Sequence, residues 1–239
     1  MILLGLDLET GGAFDAPIEE NFVTEVGAVL YDTKIGQPVR IYSELLHWED
    51  ENISHEATEY TGITNDLVQR WGQSPKFVAC ELRSLIKSCD AIVAHNGLGF
   101  DKPILVNWSE LKESVNSKPW IDTTIDVPYP NNCRSRNLTY LTAFHRLMNP
   151  FPHRAVTDVM LMLEILNLYD VDDIFKTAQS PLVKVVANVS FAEKDLAKAQ
   201  GFMWDGTNKK WYKNRRKRTL DNTDTDAWGF NYSLEECGN

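Results

Sequence analysis

One short apolar stretch near the start of the chain restricts the fold more than any other feature of the sequence. Residues 2–9 read Ile-Leu-Leu-Gly-Leu-Asp-Leu-Glu and are followed by Gly11-Gly12, a pattern typical of a buried strand that ends in a loop. Because side chains alternate between the faces of a strand, Asp7 and Glu9 share one face and the intervening leucines lie on the other. The sequence therefore predicts a buried strand that ends with two carboxylates side by side.

This acidic pair has two possible explanations. Adjacent carboxylates repel each other and are costly to remove from water. A divalent cation between Asp7 and Glu9 removes that cost, and carboxylate oxygens suit Mg²⁺ or Mn²⁺. A solvent-facing pair on an edge strand fits the same residues, since acidic side chains are common on surfaces. The segment Asp7-Leu8-Glu9 alone leaves both explanations open.

The elements that follow predict an α/β sheet covered by helices. Strands are expected first in a hairpin and then in alternation with helices, an order typical of this class. The predicted strands are 22–31, 39–46, 91–95 and 120–123, and the predicted helices begin at Ser74-Pro75 and span 137–146 and 157–169. We expect this domain to cover residues 1–180.

Asp101 is the second candidate site residue. It follows the apolar strand 91–95 and a loop containing Asn96, and loops at the carboxyl ends of sheet strands are where α/β sites gather. Asp101 also fits an ordinary N-cap, because Pro103 stands just after it. A site residue and a helix cap are both compatible with this segment.

His153 and Asp158 form the third candidate group. Five residues on a helix correspond to about 140° of rotation beyond a full turn, so the two side chains do not share a face of one regular helix. Pro152 places His153 on the loop that enters the helix, and Asp158 then lies in its early turns. A loop histidine can reach a carboxylate in this arrangement, although a lone histidine also serves structural roles.

The three groups together resemble a known family. The motifs are Asp7-x-Glu9-Thr10, Asn96-x4-Asp101 and His153-x4-Asp158. In this order and spacing they resemble the DEDDh exonucleases, the DnaQ-like branch of the ribonuclease H-like fold. The resemblance covers roughly residues 1–170. Supporting stretches are 24–29, 62–64, 121–123 and Leu138-x2-Leu141.

The resemblance implies a fold and a chemistry. The fold is a mixed five-stranded sheet flanked by helices. The activity is metal-dependent 3′→5′ hydrolysis that releases nucleoside monophosphates from single-stranded or frayed DNA. Two divalent ions, Mg²⁺ or Mn²⁺, are implied, one held by Asp7, Glu9 and Asp158 and the other positioned by Asp7 and Asp101. His153 is implied to be the general base for the attacking water.

The resemblance also suggests residues that contact the terminal nucleotide. These are Leu8, Thr10, Gly11, Asn96 and Phe100. Gly11 departs from the family pattern, which often has a second threonine there. We expect its backbone amide to face the terminal nucleotide instead.

A strongly basic segment follows the first domain. The whole chain has a net charge of −10, yet residues 184–218 hold ten basic and only three acidic side chains. Such asymmetry is a hint of a polyanionic partner, although a solvated charged face gives the same composition. Residues 183–218 predict a small basic α+β module, and residues 183–213 resemble a small domain of unknown function.

Aromatic and cationic side chains are interleaved in this module. Stacking planes beside phosphate-neutralising cations suit nucleic acid, with DNA favoured over RNA. The candidate residues are Trp204, Lys209, Lys210, Trp211, Tyr212, Lys213, Arg215 and Arg216. The alternative is that the aromatics form the core of a small unit that needs them for packing.

The last segment, residues 219–239, holds five acidic and no basic side chains. Its polar composition predicts a flexible tail. It is a candidate docking segment for a replication or repair protein, or a cover for the basic segment.

Two alternatives to a DNA exonuclease remain at this stage: an exoribonuclease of the same superfamily and a non-catalytic nucleic-acid-binding protein. No apolar run approaches the roughly 20 residues of a membrane helix, so no membrane partner is expected. The four cysteines are scattered without a metal-ligand spacing, which is typical of a reducing compartment. We expect a cytoplasmic protein.

Overall fold

The computed structural model of the chain describes residues 1–13, 17–18 and 21–236. It divides into two compact units, Met1–Ile174 and Phe175–Asn239. Sequence analysis placed the domain limits at 180 and 183, whereas the structural division falls a few residues earlier, within a helix. Along the described part of the chain, every helix is too short or too polar to cross a membrane.

The first unit is built on a mixed five-stranded sheet, which confirms the predicted fold class. Its strands are β1 (Ile2–Thr10), β2 (Val23–Asp32), β3 (Gln37–Leu45), β4 (Ala91–Ala94) and β5 (Trp120–Asp122). The order is β3-β2-β1-β4-β5. β1 pairs antiparallel with β2 and parallel with β4, so the acidic strand is central. A central position explains why its leucines are fully buried.

Within the described residues, eight α-helices lie between positions 55 and 178, and the division between the two units falls inside the last of them. They are α1 (His55–Thr61), α2 (Asn65–Trp71), α3 (Pro75–Ser88), α4 (Asp101–Asn107), α5 (Lys112–Asn116), α6 (Leu138–Phe144), α7 (Ala155–Leu166) and α8 (Val171–Ala178). Side-chain caps fix several of their starts. The Ser74 hydroxyl accepts a hydrogen bond from the Phe77 amide, and the Asn137 side chain accepts one from Tyr140. Both caps coincide with the starts that the sequence predicted for these helices.

The two faces of β1 pack against different elements. Leu4, Leu6 and Leu8 join a core cluster with α3. The opposite face meets α7, because a Cβ added to Gly5 would lie 2.8 Å from side-chain atoms of Val159 and Leu163. Asp7 and Glu9 continue that second face toward the start of α7.

The second unit contains a four-stranded antiparallel sheet. Its strands are β6 (Leu182–Asn188), β7 (Met203–Asp205), β8 (Lys210–Arg216) and β9 (Asn231–Glu236), in the order β7-β8-β6-β9. Two short helices, α9 (Lys194–Ala199) and α10 (Lys217–Asp221), complete it. The core contains Val185, Ala197, Phe202, Leu220 and Trp228.

This sheet contradicts the prediction that residues 219–239 form a flexible tail. Residues 231–236 form β9 and pair with β6 from Asn188↔Asn231 to Val183↔Glu236, while Leu220 and Trp228 are in the core. Two of the five acidic residues of the segment, Glu235 and Glu236, lie on this edge strand. Residues 237–239 of the expected tail lie outside the described residues.

Candidate active site

The first two carboxylates of the site stand at the end of β1. Burial raises the pKa of Asp7 well above its ordinary value, and the charges of Asp101, Glu9 and Asp158 raise it further. Burial also raises the pKa of Glu9 to about 8, with Asp158 and Glu25 adding to the effect. Without a neutralising cation, these groups therefore favour the protonated form.

Asp101 is the most deeply buried of the predicted site residues. It is 1% exposed and opens α4, but it is not the N-cap, since Phe100 holds that position. Within the described residues, neither of its carboxylate oxygens accepts a hydrogen bond of regular geometry. Burial raises its pKa well above the ordinary value. An unpaired buried carboxylate is costly, which indicates a ligand at this position.

α7 and the loop before it supply the last two site residues. Asp158 lies in the first turn of α7 and accepts a hydrogen bond from the His153 amide at 3.1 Å. The Asn149 side-chain amide donates to its other oxygen. His153 has a φ of 61°, a left-handed conformation rare outside glycine. The short loop thus folds the histidine back over the carboxylate.

The structure brings the predicted acidic residues together. One carboxylate oxygen each from Asp7, Glu9 and Asp158 lies within 4.8 Å of the others. Asp101 is near enough for its charge to raise the pKa of Asp7. Three carboxylate donors from two chain segments, with raised pKa values, and the unsatisfied carboxylate of Asp101 from a third segment fit divalent cations such as Mg²⁺ or Mn²⁺.

A half-buried ion pair positions α7 on the sheet. Glu25 of β2 is 1% exposed; it accepts hydrogen bonds from Arg154 Nη2 at 2.7 Å and Nε at 3.0 Å, and from the Ala155 amide at 3.0 Å. Gly27 allows this approach, because a Cβ there would lie 2.3 Å from the backbone carbon of Ala155. Glu25 belongs to a stretch that supports the family resemblance, but its role was not predicted.

A second buried carboxylate organises the loop between β4 and α4. Asp122 accepts hydrogen bonds from the amides of Asn96 and Leu98 at 3.2 and 3.1 Å. His95 Nδ1 lies 2.8 Å from the Thr123 hydroxyl. Burial lowers the pKa of His95, which favours its neutral form. These bonds fix the loop that leads to Asp101.

The acidic residues face a cleft of about 600 Å³. Four of the predicted nucleotide-contacting residues line it: Leu8, Thr10, Asn96 and Phe100. Gly11 does not, and the prediction for its amide is wrong. The Gly11 N–H donates to the Phe22 carbonyl at 3.0 Å. A Cβ on Gly11 would lie 2.3 Å from the Phe22 ring, which explains the departure from threonine.

Two further lining residues were missed by sequence analysis. The Tyr60 ring lies against His153 with centroids 4.0 Å apart. Arg136 is the single lysine or arginine among the described residues lining the cleft; its guanidinium lies over the Tyr129 ring at 4.7 Å and donates to the Cys133 carbonyl at 3.2 Å. The local sequence does not indicate that either residue lines the cleft, because Tyr60 is on a short helix and Arg136 is in a loop.

The nucleic-acid candidates of the second unit fall into different environments. Lys213 is buried, and its ammonium lies 4.0 Å from the Trp228 ring centre and 4.4 Å from that of Phe202. Arg216 is also buried and donates to the Ser180 carbonyl at 3.2 Å. Their predicted phosphate contacts are therefore wrong, because both cations are used inside the unit.

The remaining candidates keep partial or full exposure. Trp204 is 50% exposed and packs against Trp211 with ring centroids 5.4 Å apart. Lys210 pairs with Glu235 at 2.7 Å, and Tyr212 lies under the Lys184 ammonium at 4.3 Å. Lys209 is exposed with a φ of 53°, and Arg215 is partly buried.

Comparison with protein families gives two matches. Residues 4–166 match the RNase_T family model, described as an exonuclease. Residues 184–222 match a domain of unknown function, DUF5710. No curated protein sequence matches the chain.

Solved structures share the fold of the first unit. An exonuclease I structure is 15% identical with a TM-score of 0.61, covering 83% of this chain and 50% of that chain. E. coli exonuclease I in complex with a dA16 oligonucleotide is 14% identical with a TM-score of 0.65, covering 96% and 68%. The nuclease domain of 3′hExo, a DEDDh family member bound to rAMP, is 18% identical with a TM-score of 0.57, covering 70% and 90%. The chain thus spans half the length of the first of these.

Proposed function

Because this chain belongs to the RNase_T exonuclease family, we propose that it is a metal-dependent 3′→5′ exonuclease that releases nucleoside monophosphates from single-stranded or frayed DNA. The observation that carries the proposal is the convergence of Asp7, Glu9 and Asp158 oxygens within 4.8 Å. Asp101 adds a buried carboxylate with unsatisfied oxygens.

These carboxylates are the residues that would hold divalent ions. Asp7, Glu9 and Asp158 would hold one Mg²⁺ or Mn²⁺, and Asp7 with Asp101 would position a second. Paired divalent ions stabilise the charge on the attacking and leaving oxygens of a phosphodiester displacement. A bound cation would offset the burial and the neighbouring negative charges that raise the pKa of Asp7, which would allow the acidic cleft to accept an anionic substrate.

His153 is the general base in this proposal. Its ring lines the cleft beside Asp158 and Tyr60, where a ring nitrogen can accept the proton of the attacking water. General-base catalysis contributes about 10²–10⁴ in rate. The hydrogen bond from the His153 amide to Asp158 keeps the base and the acidic cluster together.

The cleft walls support binding of a 3′-terminal nucleotide. Leu8 and Phe100 present apolar surface for the base and sugar, while Thr10 and Asn96 offer polar groups. Arg136 supplies a cation for a phosphate, held in place by Tyr129 and the Cys133 carbonyl.

An exoribonuclease is the second candidate. Similar folds include a DEDDh nuclease bound to rAMP as well as exonuclease I with a DNA oligonucleotide. The 2′-hydroxyl distinguishes the substrates. Aromatic rings beside cations in the second unit suit single strands of either kind, so the labelled oligonucleotides decide between them.

Labelled oligonucleotides test the proposal. DNA and RNA of one sequence, labelled at the 5′ end, are incubated with Mg²⁺, with Mn²⁺ or with EDTA. We expect a descending ladder with DNA only when a divalent ion is present, and none from Asp7→Asn. An RNA-only ladder would favour the exoribonuclease. Intact DNA and RNA, or an equally active Asp7→Asn variant, would reject the catalytic assignment.

A further inference from the structure

Rings and lysines of the second unit form two neighbouring sets of contacts that helix α9 connects. The Lys194 ammonium lies 4.1 Å from the Phe191 ring centre, and that of Lys198 lies 5.7 Å from the Trp211 ring centre. Trp211 in turn packs against Trp204 at 5.4 Å. We call these five residues the aromatic–lysine strip.

Local structure explains why these residues meet. Lys194 and Lys198 are four residues apart on α9, so they lie on the same face of that helix. Trp204 and Trp211 are register partners on the antiparallel strands β7 and β8, which places their rings on the same face of the sheet. The helix and the two strands therefore present one surface.

The strip is largely separate from the core of the unit. Phe191 is 81% and Trp204 50% exposed. The core is built around Phe202 and Trp228 instead, and only Trp211 packs partly against it. Large exposed rings are unusual on a soluble unit and mark interaction sites when they cluster.

The segment that carries the strip is basic. Residues 184–218 hold ten basic and three acidic side chains, although Lys213 and Arg216 are buried in the unit. Glu235 of β9 pairs with Lys210, which precedes Trp211 on β8 and therefore lies on the opposite face of the sheet. Asp195 lies 3.6 Å from Lys198, but both side chains are more than half exposed, so this ion pair is screened by water and leaves the lysine available.

We propose that the aromatic–lysine strip binds single-stranded nucleic acid, with bases stacked on Trp204 and Phe191 and phosphates neutralised by Lys194 and Lys198. Interleaved rings and cations match the alternation of bases and phosphates along a single strand. A protein or a lipid surface would use the same rings, but neither repeats phosphates beside planar groups.

Binding to a labelled oligothymidylate tests this proposal in the full-length protein. EDTA prevents hydrolysis, so the result does not depend on whether the nuclease proposal holds. We expect Trp204→Ala/Lys198→Ala to weaken binding about tenfold, from one lost stacking contact and one lost cation. The slope of log affinity against log salt should become shallower by about 0.7 for the lost lysine.

A matched control lies on the first unit. Trp71 is 61% exposed, with the Arg70 guanidinium 5.2 Å from its ring centre, and neither residue lines the cleft. Trp71→Ala/Arg70→Ala removes the same kinds of group and should leave both the affinity and the salt slope unchanged. Equal losses in the two double variants would overturn the proposal.

Two more measurements separate stacking from charge and from misfolding. Trp204→Phe keeps a ring and should retain most of the affinity. An abasic oligonucleotide keeps the phosphates but lacks bases, so wild type and Trp204→Ala should bind it equally. If the strip double variant bound oligothymidylate as wild type does, the strip would not be a nucleic-acid surface, and a protein partner would replace this proposal.

Discussion

Glu25 and Arg154 are 129 residues apart in the chain and form a two-pronged ion pair, with Arg154 Nη2 2.7 Å from Oε1 and Nε 3.0 Å from Oε2 of the glutamate. The carboxylate is buried, whereas the arginine remains partly exposed. Because Arg154 follows His153 and precedes α7, this pair sets the position of both His153 and Asp158.

Removing the arginine should therefore affect stability and rate together. Arg154→Ala leaves the buried Glu25 with only the Ala155 amide. We expect a loss of about 2–3 kcal/mol in the free energy of unfolding, below the roughly 3–5 kcal/mol of a fully buried pair. Denaturant unfolding measures the loss of stability, and kcat for hydrolysis at the 3′ end of an oligonucleotide measures the loss of rate. Arg154→Lys keeps the charge but not the fork and should be intermediate. A stable and fully active Arg154→Ala would contradict the positioning role.

Tyr60 should act on catalysis through His153. Its ring packs on the imidazole at 4.0 Å, so Tyr60→Leu allows the histidine to turn away. We expect kcat to fall roughly tenfold, part of the ~10²–10⁴ that a general base contributes, with little change in KM. Tyr60→Phe retains the ring and should stay near wild type. Equal rates for the leucine and phenylalanine variants would rule out ring packing as the cause.

Arg136 should contribute to substrate binding rather than to the chemical step. A charge-assisted hydrogen bond to phosphate contributes about 1.5–3 kcal/mol, so Arg136→Ala should raise KM for an oligonucleotide about tenfold or more. Arg134, two residues earlier, is exposed and absent from the cleft lining. Arg134→Ala is the control and should leave KM unchanged. If both variants raised KM equally, loss of overall charge would be the explanation.

Metal binding should be linked to pH through Glu9. Its pKa is raised from an ordinary value of 4.5 to about 8, so the metal-free folded state holds a proton that the unfolded state releases between these values. Stability in EDTA should therefore decrease as the pH rises from about 4.5 to about 8. Mg²⁺ or Mn²⁺ should reverse the loss, with a larger increase in Tm at pH 8 than at pH 5.

Glu9→Gln provides the comparison for this linkage. The amide has no proton to release, so its Tm in EDTA should depend less on pH, and the Tm increase caused by the cation should be smaller. Parallel Tm curves for wild type and Glu9→Gln would show that Glu9 is not the linked group.

The strand pattern made the acidic residues of the first unit predictable. Asp7 and Glu9 interrupt an apolar alternation, Asp101 follows a strand and opens a helix, and Asp158 lies in the first turn of a helix. Other features have no local pattern. The Glu25–Arg154 pair joins residues far apart in the chain, and α1 and α2 are seven-residue helices that each bury a single residue, Ala57 and Val68.

The second unit was less predictable for a different reason. In a small unit, tertiary packing decides whether a lysine or an aromatic side chain is buried or exposed. From the sequence, Lys213 was predicted to contact nucleic acid at the surface. In the structure its ammonium lies close to the rings of Phe202 and Trp228. Burial lowers its pKa to about 7. A polar, acidic sequence likewise concealed β9, since edge strands tolerate charged side chains.

The pairing of β9 with β6 matters for anyone who shortens or extends this protein. β6 has β8 on one side and β9 on the other. A deletion that removes residues 231–236 strips the second partner from six register positions of β6 and leaves its amide and carbonyl groups open to strands of other molecules. Such a truncated protein should self-associate, so affinity tags and fusions should leave these residues in place.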